Sequence, residues 1–563
     1  MTGFTAVVSG ETAITARGPL REAAERVLGR LWIDQVPVRL ASEDATLWPS
    51  SAAAETEGRA LCWPGQPGPA RAVLDRAGEL RARAREDGLT EVAVLGGGAP
   101  VRAADAIVRH ALAADPAPSA HGPGPRPAPL TVLDGPEPGP VLRLGDDRER
   151  LRRTMVVVTG DDPDTGTLRD VLLAMLRELD LSPADIARRF VTVAAPGAAP
   201  AKAAAEAGAA VVEAPAPTAF GALSPYALVP AALAGVDVAS LLDEAAAVLP
   251  SLTRPENNPG LVLGAILGGA VRAGRRTVVL GGYPAALPGL AGWVAALLRE
   301  SVRGRLLPIV QGGGLPVVPS DDLFLVTLDG RPRQDDATVS GPLAAQLVVW
   351  EYAAAVAAYL LGADPLADPD RGSPPAPGGD GEPLLVDGEP GRAVEVRTAD
   401  RALAEAATGS RSATGAMAPP GTAPAGLGPL LDALAASAGA DGHLAIVAHL
   451  DPDEARGQGP QVRRLAALLA ARCARPVTVS WGSRYPAFGN DLRENGVYLV
   501  VTGNVVRDVP VPDRRHRLGA LQLARALGDV RAAAGAGRPV VRLHLQNRWA
   551  GLARLLDSAR GGA

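Results

Sequence analysis

The chain has 563 residues, 47% of them apolar and 21% charged, which allows two or three hydrophobic cores and is ordinary for a globular enzyme. A net charge of −5 and only 3% aromatic residues exclude a polyanion-binding surface and a base-stacking platform, so no nucleic-acid partner is expected. Two distant cysteines, Cys62 and Cys473, form no disulfide framework and no metal cluster, and they fit a reducing cytoplasm.

Lys202 is the single lysine among 56 basic residues, so only there can a lysine act as acid, base or Schiff-base nucleophile. Met1–Val8 lacks a basic region and a long apolar core, so no leader peptide is expected. The apolar run Leu347–Leu361 is interrupted by Glu351 and falls short of the ~18 residues of a membrane span, so no membrane is expected.

Residues 1–85 carry helical patterning with a turn-rich insert. A short β-rich run, Glu91–Leu95, is followed by the turn Gly96-Gly97-Gly98 and a helix over Arg102–Leu112. Further strand-length runs stand at Leu130–Leu133, Thr154–Val158, Val191–Ala195 and Ala209–Val212, with helical spacing between them, as in Leu168–Leu179. A helical stretch containing Tyr226–Val248 follows. Strand patterning restarts at Arg276–Leu280 and Leu323–Leu328, and again at Leu444–Ala448 and Val497–Val501. Asp368–Pro390 and Thr408–Gly428 are Pro/Gly-rich and read as flexible. Strands alternating with helices predict an α/β protein with two doubly wound parallel-sheet domains plus helical N-terminal and linking segments. The expected division is an N-terminal helical segment 1–85, a first domain 86–250, a second domain split into 251–370 and 428–563, and a flexible linker 371–427.

Several segments carry a resemblance. Asn257–Gly264 precedes Gly289–Ser301, which holds Trp293 and ends on Glu300-Ser301. Ala222–Asp237 reads ALSPYALVPAALAGVD, Leu343–Gly362 contains Trp350-Glu351-Tyr352-Ala353, Leu518–Asp529 reads LGALQLARALGD, and Arg538–Leu545 closes the series. Taken in chain order, these segments make the chain resemble the phosphoglucose isomerase (glucose-6-phosphate isomerase) family, actinobacterial type, over roughly residues 35–550. That family is built from two sugar-isomerase (SIS) domains. The resemblance implies aldose–ketose isomerisation of glucose 6-phosphate and fructose 6-phosphate in glycolysis and gluconeogenesis. It also implies a cytoplasmic homodimer needing no metal and no cofactor. It makes Glu300 the base that moves the proton between C2 and C1. Gly97, Gly98, Thr159, Thr165 and Thr167 would receive the sugar phosphate, with Arg303 and Arg305 as supporting cations. Arg484 would replace a lost catalytic cation.

Other motifs depart from the family. Its S-x-S-G-x-T phosphate loop is here Thr159-Gly160-Asp161-Asp162-Pro163-Asp164-Thr165-Gly166-Thr167. A carboxylate about 4 Å from a phosphate costs about 4 kcal/mol at an effective dielectric of ~20. The serine of the first glycine turn is replaced within Gly98-Ala99-Pro100-Val101. The enediolate-stabilising arginine segment is Pro217-Thr218-Ala219-Phe220-Gly221. The His-rich segment is shortened to Gly482–Asn490, and the family's Gln and Lys near Asp364–Asp370 are absent. His443, His449, His516 and His544 read as structural. Two functional classes therefore stay open: a phosphosugar isomerase with Glu300 as base, and a catalytically silent paralogue that binds a sugar phosphate or serves as a scaffold. Two other motif readings match less well. Asp162–Thr167 resembles a haloacid-dehalogenase nucleophile loop with its Thr one place too far. Gly96–Gly98 lacks the later glycine of a dinucleotide-binding turn.

Overall fold

The computed structural model describes residues 7–9, 11–48, 67–114, 127–216, 218–282, 287–311, 320–329, 336–366, 381–409, 425–439, 442–482 and 496–561. In chain order the strands are β1 (Val7–Ser9), β2 (Thr12–Ala16), β3 (Glu91–Leu95), β4 (Leu130–Leu133), β5 (Thr154–Val158), β6 (Phe190–Ala194), β7 (Ala210–Glu213), β8 (Thr277–Gly282) and β9 (Leu307–Val310). They continue with β10 (Leu323–Leu328), β11 (Ala337–Ser340), β12 (Leu385–Asp387), β13 (Val394–Arg397), β14 (His443–Ala448), β15 (Val477–Trp481), β16 (Gly496–Gly503) and β17 (Val540–Leu545). The chain is a mixed α/β protein with parallel sheets, and among the described residues the strands form three sheets.

The first sheet, ordered β4-β3-β5-β6-β7, is parallel throughout. Its central strands are apolar on both faces because helices cover both sides, and all five residues of β5 and of β6 are buried. The second sheet is ordered β1-β2-β11-β10-β8-β9. Its strands β9, β8, β10 and β11 are parallel, while the N-terminal hairpin β1–β2 adds antiparallel to β11. Both sheets belong to one compact unit comprising residues 1–134, 144–310 and 322–369. The third sheet, β12-β13-β17-β16-β14-β15, belongs to a second unit comprising 135–143, 311–321 and 370–563.

Three expectations differ from this layout. Segments 251–370 and 428–563, expected as parts of one domain, contribute strands to two separate sheets in two units. The 371–427 segment, expected as a flexible linker, contributes β12, β13 and the helix Arg401–Thr408. In β13, Val394 and Val396 alternate inward with period two and are fully buried, which fixes that strand on the sheet. The N-terminal segment begins with a hairpin: in Thr12–Ala16, Thr12, Ile14 and Ala16 alternate inward.

Close helix packing anchors the first unit. Helix Pro259–Arg272 is capped by Asn258, whose Oδ1 accepts from Leu261 N at 2.9 Å, with Pro259 at its first position. Its glycines recur every four residues on one face. A Cβ at Gly260 would stand 2.6 Å from Tyr352 Cδ1, and one at Gly264 would stand 2.5 Å from Val356 Cβ. Helix Leu343–Leu361 therefore lies directly on this glycine face. It is the one described helix long and apolar enough to cross a membrane by length and composition, and it is almost entirely buried inside the protein. The apolar run thus extends further than the sequence reading allowed, with Glu351 near its middle.

Candidate active site

The first sheet reverses its strand order between β3 and β5. From β3 the chain crosses to β4 on one side; from β5 it proceeds to β6 and β7 on the other. Ligands of open α/β sheets bind at the carboxyl ends beside such a reversal. The two turns in question leave β3 and β5 at this point. Gly96 has φ +132° and Gly98 has φ +88°, conformations that favour glycine. A Cβ at Gly96 would collide with Thr159 Oγ1, so the turns are packed against each other.

Glu300 sits near the end of helix Leu290–Val302, which also buries Trp293, Val294 and Leu297. A Cβ at Gly98 would stand 3.5 Å from Glu300 Oε1 and 3.6 Å from Oε2. The glycine turn at the carboxyl edge of the first sheet therefore meets Glu300 at Gly98 and Thr159 at Gly96. Gly97 faces Asp134, whose Cβ is 3.7 Å from a Cβ built there. Asp134 pairs with Arg102 at 2.6 Å and is nearly buried, so an arginine–carboxylate pair borders the turn. Sequence reasoning missed it; the signal was an Asp placed directly after a strand-length run.

The phosphate-type loop is closed by the protein's own carboxylate. Asp162 is the N-cap of helix Pro163–Arg177. Its Oδ1 accepts from Asp164 N and Thr165 N, each at 3.0 Å, and its Oδ2 accepts from Thr165 Oγ1 at 2.7 Å. Those donors are the groups a helix N-terminus offers to an anion. Thr159 Oγ1 donates to Leu95 O at 2.9 Å, and Thr167 Oγ1 donates to Pro163 O at 2.8 Å. All three loop hydroxyls thus have intramolecular partners. Asp161 is exposed.

Two of the candidate cations follow the Glu300 helix. Arg303 terminates the Glu300 helix in the left-handed conformation, φ 49°, and is half-buried. Arg305 is exposed, and its Nη1 donates to Leu361 O at 3.1 Å, at the end of helix Leu343–Leu361. Arg484 lies outside the described residues, as do Asp368, Asp370 and Cys62. Cys473 is half-buried, and burial raises its thiol pKa. Among the described residues no group of three or more His, Cys, Asp or Glu side chains could hold a metal ion.

Glu351 is the second carboxyl of this region, and the sequence reading gave it no role. It is fully buried, and its Oε1 accepts from Ala222 N at 2.7 Å. Its Oε2 has no hydrogen-bond partner. Burial raises its pKa to about 8, against the lowering effect of the Ala222 and Gly221 N–H groups, so it carries a proton at neutral pH. The Gly221–Ala222 turn that it holds packs on the first glycine turn: a Cβ at Gly221 would stand 2.7 Å from Pro100 Cγ. The available signal was a lone Glu amid a 19-residue apolar helix.

No protein-family model matches the chain, and no curated protein does. Solved structures do match. A hypothetical protein from Thermus thermophilus aligns at 15% identity over 97% of this chain and 92% of its own, with a TM-score of 0.39. A glucose-6-phosphate isomerase from Chlamydia trachomatis aligns at 12% identity over 64% of this chain and 86% of its own, with a TM-score of 0.46.

Proposed function

We propose that the first unit carries a sugar-phosphate-isomerase-type site in which Glu300 is the base and the phosphate seat is filled by Asp162. The observation that carries this reading is the approach of the Glu300 carboxylate to Gly98 at the strand-order reversal, in the turn whose Gly96 packs on Thr159. The ordered motifs from Ala222 to Leu545 support the substrate class, glucose 6-phosphate and fructose 6-phosphate. The protein acts as a cytoplasmic homodimer without metal or cofactor. Gly97, Gly98 and Thr159 border the sugar. Thr165 reaches phosphate only if Asp162 is displaced, and Thr167 only if its hydroxyl leaves Pro163 O. Arg303, Arg305 and Arg484 supply positive charge in place of the missing arginine.

Turnover is far below that of an intact isomerase. A missing enediolate-stabilising cation alone lowers the rate by about 10²–10³-fold. Unassisted ring opening lowers it by a further ~10²–10⁴-fold. The second reading, a silent sugar-binding paralogue, is favoured by one specific observation: the Asp162 carboxylate consumes the donors a phosphate needs. A coupled assay of fructose 6-phosphate conversion tests both. Slow turnover abolished by Glu300→Gln supports the enzyme reading, because the amide cannot accept the C2 proton. No turnover with retained sugar binding supports the second reading. Activity that survives Glu300→Gln overturns the role of Glu300.

A further inference from the structure

The third sheet has its own reversal of strand order. From β14 the chain passes through helix Gly459–Cys473 to β15 on one side, and from β16 it passes through helix Leu518–Gly535 to β17 on the other. The carboxyl ends of β14 and β16 therefore stand at a second strand-order reversal, the position beside which ligands bind in open α/β sheets.

The two faces of this sheet are unlike. Leu444, Ile446, Ala448, Val497, Leu499 and Val501 face a large, wholly apolar core. The opposite face, under helix Leu518–Gly535, has only a small apolar cluster that includes Ala445, Val447, Tyr498, Val500 and Ala526. Period-two alternation continues this second face outward to His449 and Thr502. His449 N donates to Val501 O at 2.8 Å, and Thr502 pairs with His544 on β17. His449, Thr502 and His544 therefore stand in one row across three strands at the carboxyl edge. Helix Leu518–Gly535 brings Gln522 and Asp529 to the same layer, two turns apart.

His449 is nearly buried, and its Nε2 lies 2.8 Å from Asp529 Oδ2, itself nearly buried. A carboxylate on one ring nitrogen fixes the tautomer and leaves the other nitrogen as an acceptor. That other nitrogen, Nδ1, lies 3.9 Å from a Cβ built on Gly482, just past the end of β15. Among the described residues nothing is hydrogen-bonded to it.

The layer has no excess of positive charge. Arg143 pairs with Asp451, Arg548 with Glu137, and the buried Arg542 donates to Thr502 Oγ1 at 3.1 Å. Asp453 also lies 3.5 Å from Arg143, so with Asp529 three arginines face four carboxylates. The Glu137 and Asp451 oxygens are already engaged by arginine, Gln522 and backbone N–H groups. No surplus positive charge remains among these groups to hold a phosphate.

We propose that the carboxyl edge of the third sheet is a second small-molecule site for a neutral, hydroxyl-bearing ligand such as an unphosphorylated sugar or polyol. His449 Nδ1 accepts a ligand hydroxyl, and Asp529 acts as the positioning residue that holds the imidazole. This proposal is independent of the reading of Glu300, because every group involved belongs to the second unit.

The test uses the full-length chain with nitrogen-15-labelled histidine. Imidazole NMR should show His449 protonated at Nε2 and bare at Nδ1, and glucose or sorbitol should move the Nδ1 resonance. Glucose 6-phosphate should bind there more weakly than glucose. His449→Asn should weaken glucose binding at this site by roughly tenfold or more, the scale of one lost hydrogen bond in a desolvated site. Asp529→Asn should transfer proton occupancy to Nδ1 and weaken binding similarly, while circular dichroism confirms the fold. A His449 resonance unmoved by all three probes, or an Nδ1-protonated ring in the unmodified protein, would overturn the site. Tighter binding of glucose 6-phosphate than of glucose would overturn the neutral-ligand assignment. Because the readout is the His449 ring, sugar bound beside Glu300 is not mistaken for binding here.

Discussion

At the residue scale, Asp162 and Glu351 decide what the first unit can do. Asp162 uses the helix N-terminus that a phosphate would use, so the loop stabilises its own helix at the expense of an anion site. Serine is as good an N-cap as aspartate, so Asp162→Ser keeps the helix while removing a charge. Together with Asp161→Ser it should tighten glucose 6-phosphate binding by tenfold or more, the direction set by the roughly 4 kcal/mol repulsion between charges about 4 Å apart. Calorimetry on both proteins decides it; micromolar binding by the unmodified chain would contradict the idea. Glu351 makes a separate statement about pH. Its pKa rises from an ordinary 4.5 to about 8 in the folded protein. The folded state then holds a proton that the unfolded state releases, so this group's stabilisation is complete below 4.5 and is lost as pH rises towards 8. The slope is roughly 1.4 kcal/mol per pH unit within that window. Glu351→Gln mimics the protonated form and keeps an acceptor for Ala222 N, so it should flatten the fall of melting temperature between about pH 5 and pH 8. Parallel profiles for the two proteins would show that Glu351 does not carry the titration.

At the element scale, the parallel strands were legible because their signal is local. Glu91–Leu95, Leu130–Leu133 and Thr154–Val158 are short apolar runs bounded by turn residues, and each is a strand with those bounds. The glycine turn after β3 and the Thr159 turn after β5 were legible for the same reason. What was not legible depends on distant partners. Hairpin β1–β2 and strands β12 and β13 are short antiparallel additions, stabilised by β11 and β17, which lie far away in sequence. The direct contact of Asp162 with Thr165 was within reach of the sequence, since an Asp followed by Pro is a helix-start pattern. The burial of Glu351 under Ala222 was not, because 129 residues separate them. The glycine face of helix Pro259–Arg272 is a further case in which a four-residue repeat has one structural reason. With Val356 Cβ 2.5 Å from a Cβ built at Gly264, Gly264→Val must force the helices apart. Overpacking of this kind costs about 1–3 kcal/mol, and a lowered melting temperature should follow. An unchanged melting temperature would mean that the two helices are not held at this spacing.

At the scale of the whole molecule, the chain leaves the first unit after Asp134, contributes residues 135–143 to the second, and returns. That short segment supplies charges the second unit cannot spare. Glu137 is nearly buried and meets Arg548 Nη1 at 2.9 Å and Gly139 N at 3.1 Å, with Gln522 on its other oxygen. Arg143 grips Asp451 with both terminal nitrogens, one of them at 3.1 Å, and lies 3.5 Å from Asp453. Neither Arg548 nor Asp451 has ready access to solvent, so removing a partner strands a buried charge. Breaking one side of a buried ion pair costs about 3–5 kcal/mol. Glu137→Ala should therefore destabilise the second unit by that amount, even though the substitution lies far before the C-terminal sheet in sequence. Hydrogen exchange read by mass spectrometry locates the effect. Loss of protection in β14, β16 and β17, with β3 and β5 unchanged, is the expected pattern. The same argument predicts that a fragment beginning at residue 381 folds poorly alone, because Arg548 and Asp451 would face no counter-charge. Adding a peptide of residues 135–143 should restore part of its protection. A fragment as protected as the intact chain would show that the segment contributes nothing to the second unit's stability.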